Sequence, residues 1–391
     1  MDQGEVNYMN MSESDGVSIA VLKELDHILI YTVIIILLFS VLGMGTNIIN
    51  LVVFTKMGVH ETTTISMLAL AVSDFLCCVL SLLAYMCYLP AFRDLPNLPF
   101  RPTEVSSETA LSVRPYLTRT GALITAFITL ERCLCVVVPM KVKNIITVPV
   151  TRISMVAIYV ITVLPYIAHV FQTKLDWKFY PLLNRTLIGR VHLENPLVYV
   201  VMKVTTFICG FLYLLSASAI IFFCTLFLVI TLVRSSKRRE AMTKQTQIPL
   251  GKAVDLRVTR SRKEIRLIKM VVAIAILFII CHIPGMIVIF ISAVTPEYLQ
   301  TDRYSPSTTL MKSFLFAFEV ISNSTNFFVY YAIGSRFKVV FRQAFGFKGV
   351  INRYGGSTST LLAPAKRALY ASCGSYSTGV KLQLACVAQP S

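Results

Sequence analysis

Seven stretches of this chain are long and apolar enough to cross a lipid bilayer, and that constrains the fold more than any other feature. A spanning helix needs about 20 residues, because roughly 30 Å of hydrocarbon is crossed at ~1.5 Å per residue. The stretches are Ile28 to Phe54, which holds no charge; about Thr64 to Phe92, with Asp74 inside; about Val105 to Val138; Ile153 to Phe171; about Leu197 to Val233, with Lys203; Met270 to Val294; and about Thr309 to Gly334, with Lys312 and Glu319. Composition agrees. The chain of 391 residues is 55% hydrophobic and 15% charged, against about 25% charged in soluble domains. The expected fold is all-α, a seven-transmembrane helix bundle.

The third stretch is the weakest, with Arg114 and Arg119 in its first half and Glu131-Arg132 near its end. Charge in hydrocarbon is expensive unless it faces the bundle interior. The third helix is therefore expected to be central. Without it the count is six, and both termini would lie on one side.

Basic residues set the orientation. Eleven Lys/Arg fall between Arg234 and Arg266, and eight follow Gly334 with no acid among them. Residues 1–27 instead carry six acids and one lysine. This predicts an extracellular N-terminus (1–27), a bundle over 28–346 and a disordered cytoplasmic tail (347–391), in the plasma membrane. No secretory signal peptide is visible at Met1. Sequons at Asn10 and Asn184 then lie outside, as glycosylation sites. The formal charge of +17 becomes a cytoplasmic face, and no nucleic-acid partner is expected. The ten cysteines include no C-x-x-C pair, so a disulfide scaffold is not expected. His169 and His282 stand singly on different helices, so neither a metal site nor an enzyme is expected, and no cofactor. No internal repeats point to a transporter.

Particular residues narrow the class. The first helix holds Gly45-Thr46-Asn47 and the second Leu70-Ala71-Val72-Ser73-Asp74. The third ends Glu131-Arg132-Cys133. The sixth reads Phe278-Ile279-Ile280-Cys281-His282-Ile283-Pro284 and the seventh Asn326-Phe327-Phe328-Val329-Tyr330. After Gly334, Phe337, Phe341 and Phe345 recur at every fourth position between basic residues, as in an amphipathic interfacial helix. Over roughly residues 28–346 the chain resembles rhodopsin-like (class A) G-protein-coupled receptors. His282 stands in place of a tryptophan and Phe327 in place of a proline. The stretches Glu131–Ile146 and Asn47–Phe54 also resemble invertebrate FMRFamide-type peptide receptors, and more closely gastropod chemosensory receptors.

The resemblance implies roles. Asn47, Asp74 and Asn326 would share a polar midplane cluster, or else simply join helices by hydrogen bonds. Arg132 would be held at rest by Glu264 and released to face a heterotrimeric G protein, or else only snorkel to the interface. Pro284 kinks the sixth helix, and Phe278 and Tyr330 complete the switch set. His282 is either a pH-sensitive toggle or a neutral, hydrogen-bonded interior histidine. Three landmarks are absent. The cysteine expected near Ser107 and its partner between Gln172 and Pro196 are both missing, so the usual extracellular disulfide is lost on both sides. The fourth helix has no tryptophan, and the fifth no proline between Cys209 and Cys224.

For the ligand, Val320 stands where an opsin has its retinal lysine, and Arg114 where an amine receptor has its aspartate. Arg114 lies five helical turns before Arg132, about 27 Å nearer the outside. Either it pairs with Glu319 inside the bundle, or with Lys203 it forms a cationic pocket for an anionic group. The ligand, a small molecule or peptide, would contact Arg114, Lys203, His282 and Glu319. The rival function is a seven-helix chemosensory channel, which has its N-terminus inside. The Gly/Ser/Thr-rich tail offers phosphorylation sites or a passive linker.

Overall fold

The computed structural model describes residues 16–171, 173–192, 212–245, 252–294 and 306–346, with isolated positions 197, 200, 201 and 204. Lys203, Asn10, the start of the fifth apolar stretch and the tail from 347 lie outside the described residues. The chain divides into two units, Met1–Val340 and Phe341–Ser391. The first is a helical bundle.

Its helices are α1 (Gly16–Met57), α2 (Thr62–Met86), α3 (Pro102–Val137), α4 (Val148–Val163), α5 (Tyr213–Gln245), α6 (Lys252–Val294) and α7 (Pro306–Ile333); α8 (Ser335–Ala344) follows α7 and runs across the boundary between the units. Among the described residues, five of these helices hold segments long and apolar enough to cross a membrane, in α1, α2, α3, α5 and α6, and α4 is a shorter apolar helix. Ile153 is 69% exposed, and Leu38, Val156 and Phe223 are similarly bare. An apolar surface of that kind needs lipid.

Two helices outrun their uncharged stretches. α1 begins at Gly16, before the charged residues Lys23, Glu24 and Asp26, and α6 begins at Lys252, in polar sequence. Apolar length marks the part inside lipid, whereas backbone hydrogen bonding continues until a breaker intervenes. The fourth stretch stops early instead. Pro165 follows Leu164, and a turn there separates α4 from a short helix, Tyr166–Val170. Proline lacks the N–H that would continue the ladder. Thr147 caps the other end of α4, its hydroxyl accepting from the Val150 amide at 3.4 Å.

α3 is central, as its charges require. It packs against α2, α4, α5 and α6. α1 packs on α2 and α7, and α6 on α5 and α7. One core cluster joins Val33, Ile36, Ala84, Tyr85, Ala110, Ala317 and Val320. A second joins Ala122, Ala126, Leu214, Ala217, Ile221, Ala275 and Phe278. Small side chains let helices in lipid approach closely. At Gly43 the helices meet tightly: a Cβ there would collide with the Cys78 sulfur and stand 3.2 Å from the Ser324 Cβ.

α8 follows its sequence pattern. Phe337 is buried against Phe54 (5.4 Å between ring centroids) and Tyr330 (5.7 Å). Arg336 reaches back to Glu61 at 2.6 Å and to the Met57 carbonyl at 2.9 Å. In the second unit, the Phe341 and Phe345 rings lie 5.0 Å apart.

One element departs from a purely helical reading. The loop after α4 forms an antiparallel hairpin of β1 (Thr173–Tyr180) and β2 (Arg185–His192), with Trp177 opposite Ile188. Pro181–Leu183 forms a 3-10 turn, and Asn184, at φ 45°, closes it. Asn tolerates that left-handed conformation better than most residues. The exposed Asn184 leaves its sequon at the surface.

Candidate functional site

Three polar layers run through the bundle. In the first layer, in the N-terminal half of α3, Arg114 is fully buried. Its Nη1 donates to Glu319 Oε2 of α7 at 2.6 Å, its Nε to Ser81 of α2 at 2.7 Å, and its Nη2 to the Phe316 carbonyl at 3.3 Å. Its guanidinium lies 4.3 Å from the centre of the Phe316 ring. Thr118 adds a second donor to Glu319 Oε2 at 3.3 Å. A buried cation needs a partner and filled donor positions, and here α2 and α7 supply them. Of the two roles open to Arg114, the geometry displays the interhelical pair. Lys203 lies outside the described residues, so a shared cationic pocket has no geometry to examine.

His282 of α6 lies below this pair. Its Nδ1 is 3.0 Å from the Phe278 carbonyl, and its ring stacks on Phe278 at 3.9 Å with 15° between the planes. It is buried, as the hydrogen-bonded interior reading requires. Pro284 lies two residues on, inside the unbroken α6.

In the middle layer, Asn326 Nδ2 donates to Asp74 Oδ2 at 2.8 Å. Both line a small cavity with Thr118, Gly121, Thr125, His282, Ser322 and Asn323. Asn47 takes a different place from the expected three-residue cluster. Its Nδ2 donates to the Gly43 and Asn323 carbonyls at 2.9 Å, and its Oδ1 accepts from Asn50 at 3.2 Å. It therefore ties α1 to the α7 backbone rather than bonding to Asp74. With Phe327 at the family's proline position, α7 continues helical through Tyr330. Tyr330 is buried, its ring 5.1 Å from Phe54.

In the third layer, near the C-terminal end of α3, Glu131 accepts from Arg132 beside it and from the Thr62 hydroxyl of α2. Glu131 is buried and Arg132 nearly so. Glu264, the acid expected to hold Arg132, is exposed on α6.

Outside the bundle, Lys174 sits 2.5 Å from Asp176 and holds its carboxyl below the ordinary carboxylate range. Ser81, Thr118 and Phe316 around Arg114, and Thr62 on Glu131, escaped the sequence reading. Common residue types at large sequence separation leave no local signal.

Residues 45–330 match the sequence model of the family described as 7 transmembrane receptor (rhodopsin family). No curated protein matches the chain. A match over most of the chain, together with the helical bundle and its polar layers, makes this protein a member of the rhodopsin family of seven-transmembrane receptors.

Proposed function

We propose that the protein transduces an extracellular ligand to a heterotrimeric G protein, with its N-terminus outside the plasma membrane and its C-terminus in the cytosol. The observation that carries this is Arg132, paired with a buried Glu131 at the end of α3 expected to face the cytosol. A nearly buried ion pair at a membrane interface is a poor topology anchor, because an anchor needs its charge in water. It suits an element with two states, closed on Glu131 or opened toward a partner.

The ligand is proposed to be a chemosensory small molecule or peptide carrying an anionic group. Arg114 is already neutralised by Glu319, so such a group would act by competing with that carboxylate for the guanidinium. Displacement loosens α3 from α7, which gives the ligand a differential affinity for the two states.

The test is G-protein activation in cells expressing the wild type or Arg132→Ala, with an N-terminal tag read on intact cells. The challenge is a panel of small carboxylates, amino acids and short amidated peptides. An outside tag and a response that Arg132→Ala loses support the receptor. An inside tag, or ion current without G protein, transfers the function to a channel.

A further inference from the structure

The hairpin stays on the bundle without a disulfide: the described cysteines are free thiols, and neither expected cysteine position carries one. A carboxylate stands at the junction instead. Glu104, in the first turn of α3, accepts at one oxygen from the Tyr180 hydroxyl of β1 and from the Arg190 amide of β2, both at 2.8 Å. One side chain thus holds both strands. Its position in the first turn also suits a negative charge, which the helix dipole favours there. Arg101 lies 3.9 Å from its other oxygen and 5.1 Å from the centre of the Tyr180 ring.

The surroundings are shaped to this contact. Tyr180, Leu187 and Gly189 are buried, whereas Leu175, Trp177 and Phe179 on the other face of the sheet are exposed. A Cβ at Gly189 would collide with the Tyr180 hydroxyl and stand 2.6 Å from Glu104 Oε2, so no side chain fits there without moving the clasp. The chain entering α3 adds two backbone bonds: Arg101 N to Ile188 O at 2.9 Å, and Ile188 N to Pro99 O at 2.8 Å. One turn after Glu104, Glu108 accepts from the Thr173 hydroxyl at the start of β1.

We propose that Glu104 is a positioning residue that pins the extracellular hairpin to α3, one carboxylate oxygen holding both strands. The pinning rests on hydrogen bonds. Its relevance to an incoming ligand rests on the receptor reading.

The chain's one tryptophan, Trp177, lies on this hairpin, so fluorescence excited selectively at the tryptophan absorption edge reports on this hairpin among all parts of the chain. The test uses the full chain in phospholipid nanodiscs, with Trp177 anisotropy and amide hydrogen exchange as readouts. Neither needs ligand or G protein, so its failure is distinct from failure of the receptor reading. Glu104→Ala is expected to lower the anisotropy and to speed exchange of the Arg190 amide by about tenfold, as loss of a hydrogen bond to a charged group implies. Glu104→Gln, whose carbonyl oxygen has two lone pairs, is expected to restore most of both signals. Dithiothreitol should leave the wild type unchanged. If Glu104→Ala does not fold, Tyr180→Phe removes one donor alone and should give an intermediate loosening. Unchanged signals in both variants, a Gln variant as loose as Ala, exchange rising equally throughout the bundle, or release of the wild type by reductant would each overturn the proposal.

Discussion

Arg114 of α3 and Glu319 of α7 meet at 2.6 Å with the arginine side chain wholly removed from solvent, 205 residues apart in sequence. Breaking a buried pair at one end strands the other charge and costs roughly 3–5 kcal/mol. Arg114→Ala is therefore expected to lower thermal stability in detergent sharply. Adding Glu319→Gln should recover part of the loss, so that the double variant is more stable than the sum of the singles predicts. A thermal-shift double-mutant cycle measures the coupling, and strict additivity would refute the pair.

Exchanging the two charges, Arg114→Glu with Glu319→Arg, keeps a pair while moving the cation to α7. Surface expression should survive better than in Arg114→Ala. A response to small carboxylates should disappear, because the cation no longer stands on α3 beside Ser81 and Phe316. Dose–response curves at matched surface expression decide it.

Asn326→Ala removes the amide that donates to the buried Asp74 carboxyl. Losing a partner of a buried polar group costs about 1–3 kcal/mol. The melting temperature should fall, and less so when Asp74→Asn is present, since the neutral side chain has a smaller need for that donor. Equal falls in both backgrounds would show that the hydrogen bond contributes nothing.

Gly43→Ala forces a methyl group against the Cys78 sulfur and the Ser324 Cβ. Overpacking of this kind costs about 1–3 kcal/mol. Cys78→Ala should relieve most of it in the double variant. Thermal unfolding of the four proteins tests whether α1, α2 and α7 meet there.

Pro284→Ala returns a backbone N–H to the interior of α6. A proline inside a helix removes one hydrogen bond and costs about 3 kcal/mol or more. The variant should be more heat-stable and, on the proposed function in which Pro284 eases outward movement of the helix, less responsive in G-protein activation. Wild-type efficacy with raised stability would show that signalling does not bend α6 there.

Much of this protein was legible in the chain alone, for local reasons. Apolar runs mark segments that lipid must solvate, and the central place of α3 followed from charges at Arg114 and Glu131 that lipid would reject. The phenylalanine period after Gly334 foretold α8. Asp74 and Asn326 stood out because polar side chains in hydrocarbon need partners. Tertiary structure alone decided which partners they have. Asn47 turned to the α7 backbone instead of Asp74, and Thr62 came to Glu131 from another helix. Of the two roles open to Arg114, only packing brought Ser81, Phe316 and Glu319 together around it. The hairpin too was invisible beforehand, because its hold on the bundle is a set of hydrogen bonds that Glu104 accepts from residues more than seventy positions away. Periodicity and charge act over a few residues and can be read along the chain. Hydrogen-bond partners across helices depend on how backbones approach, and that is settled only when the small side chains at the interfaces have packed.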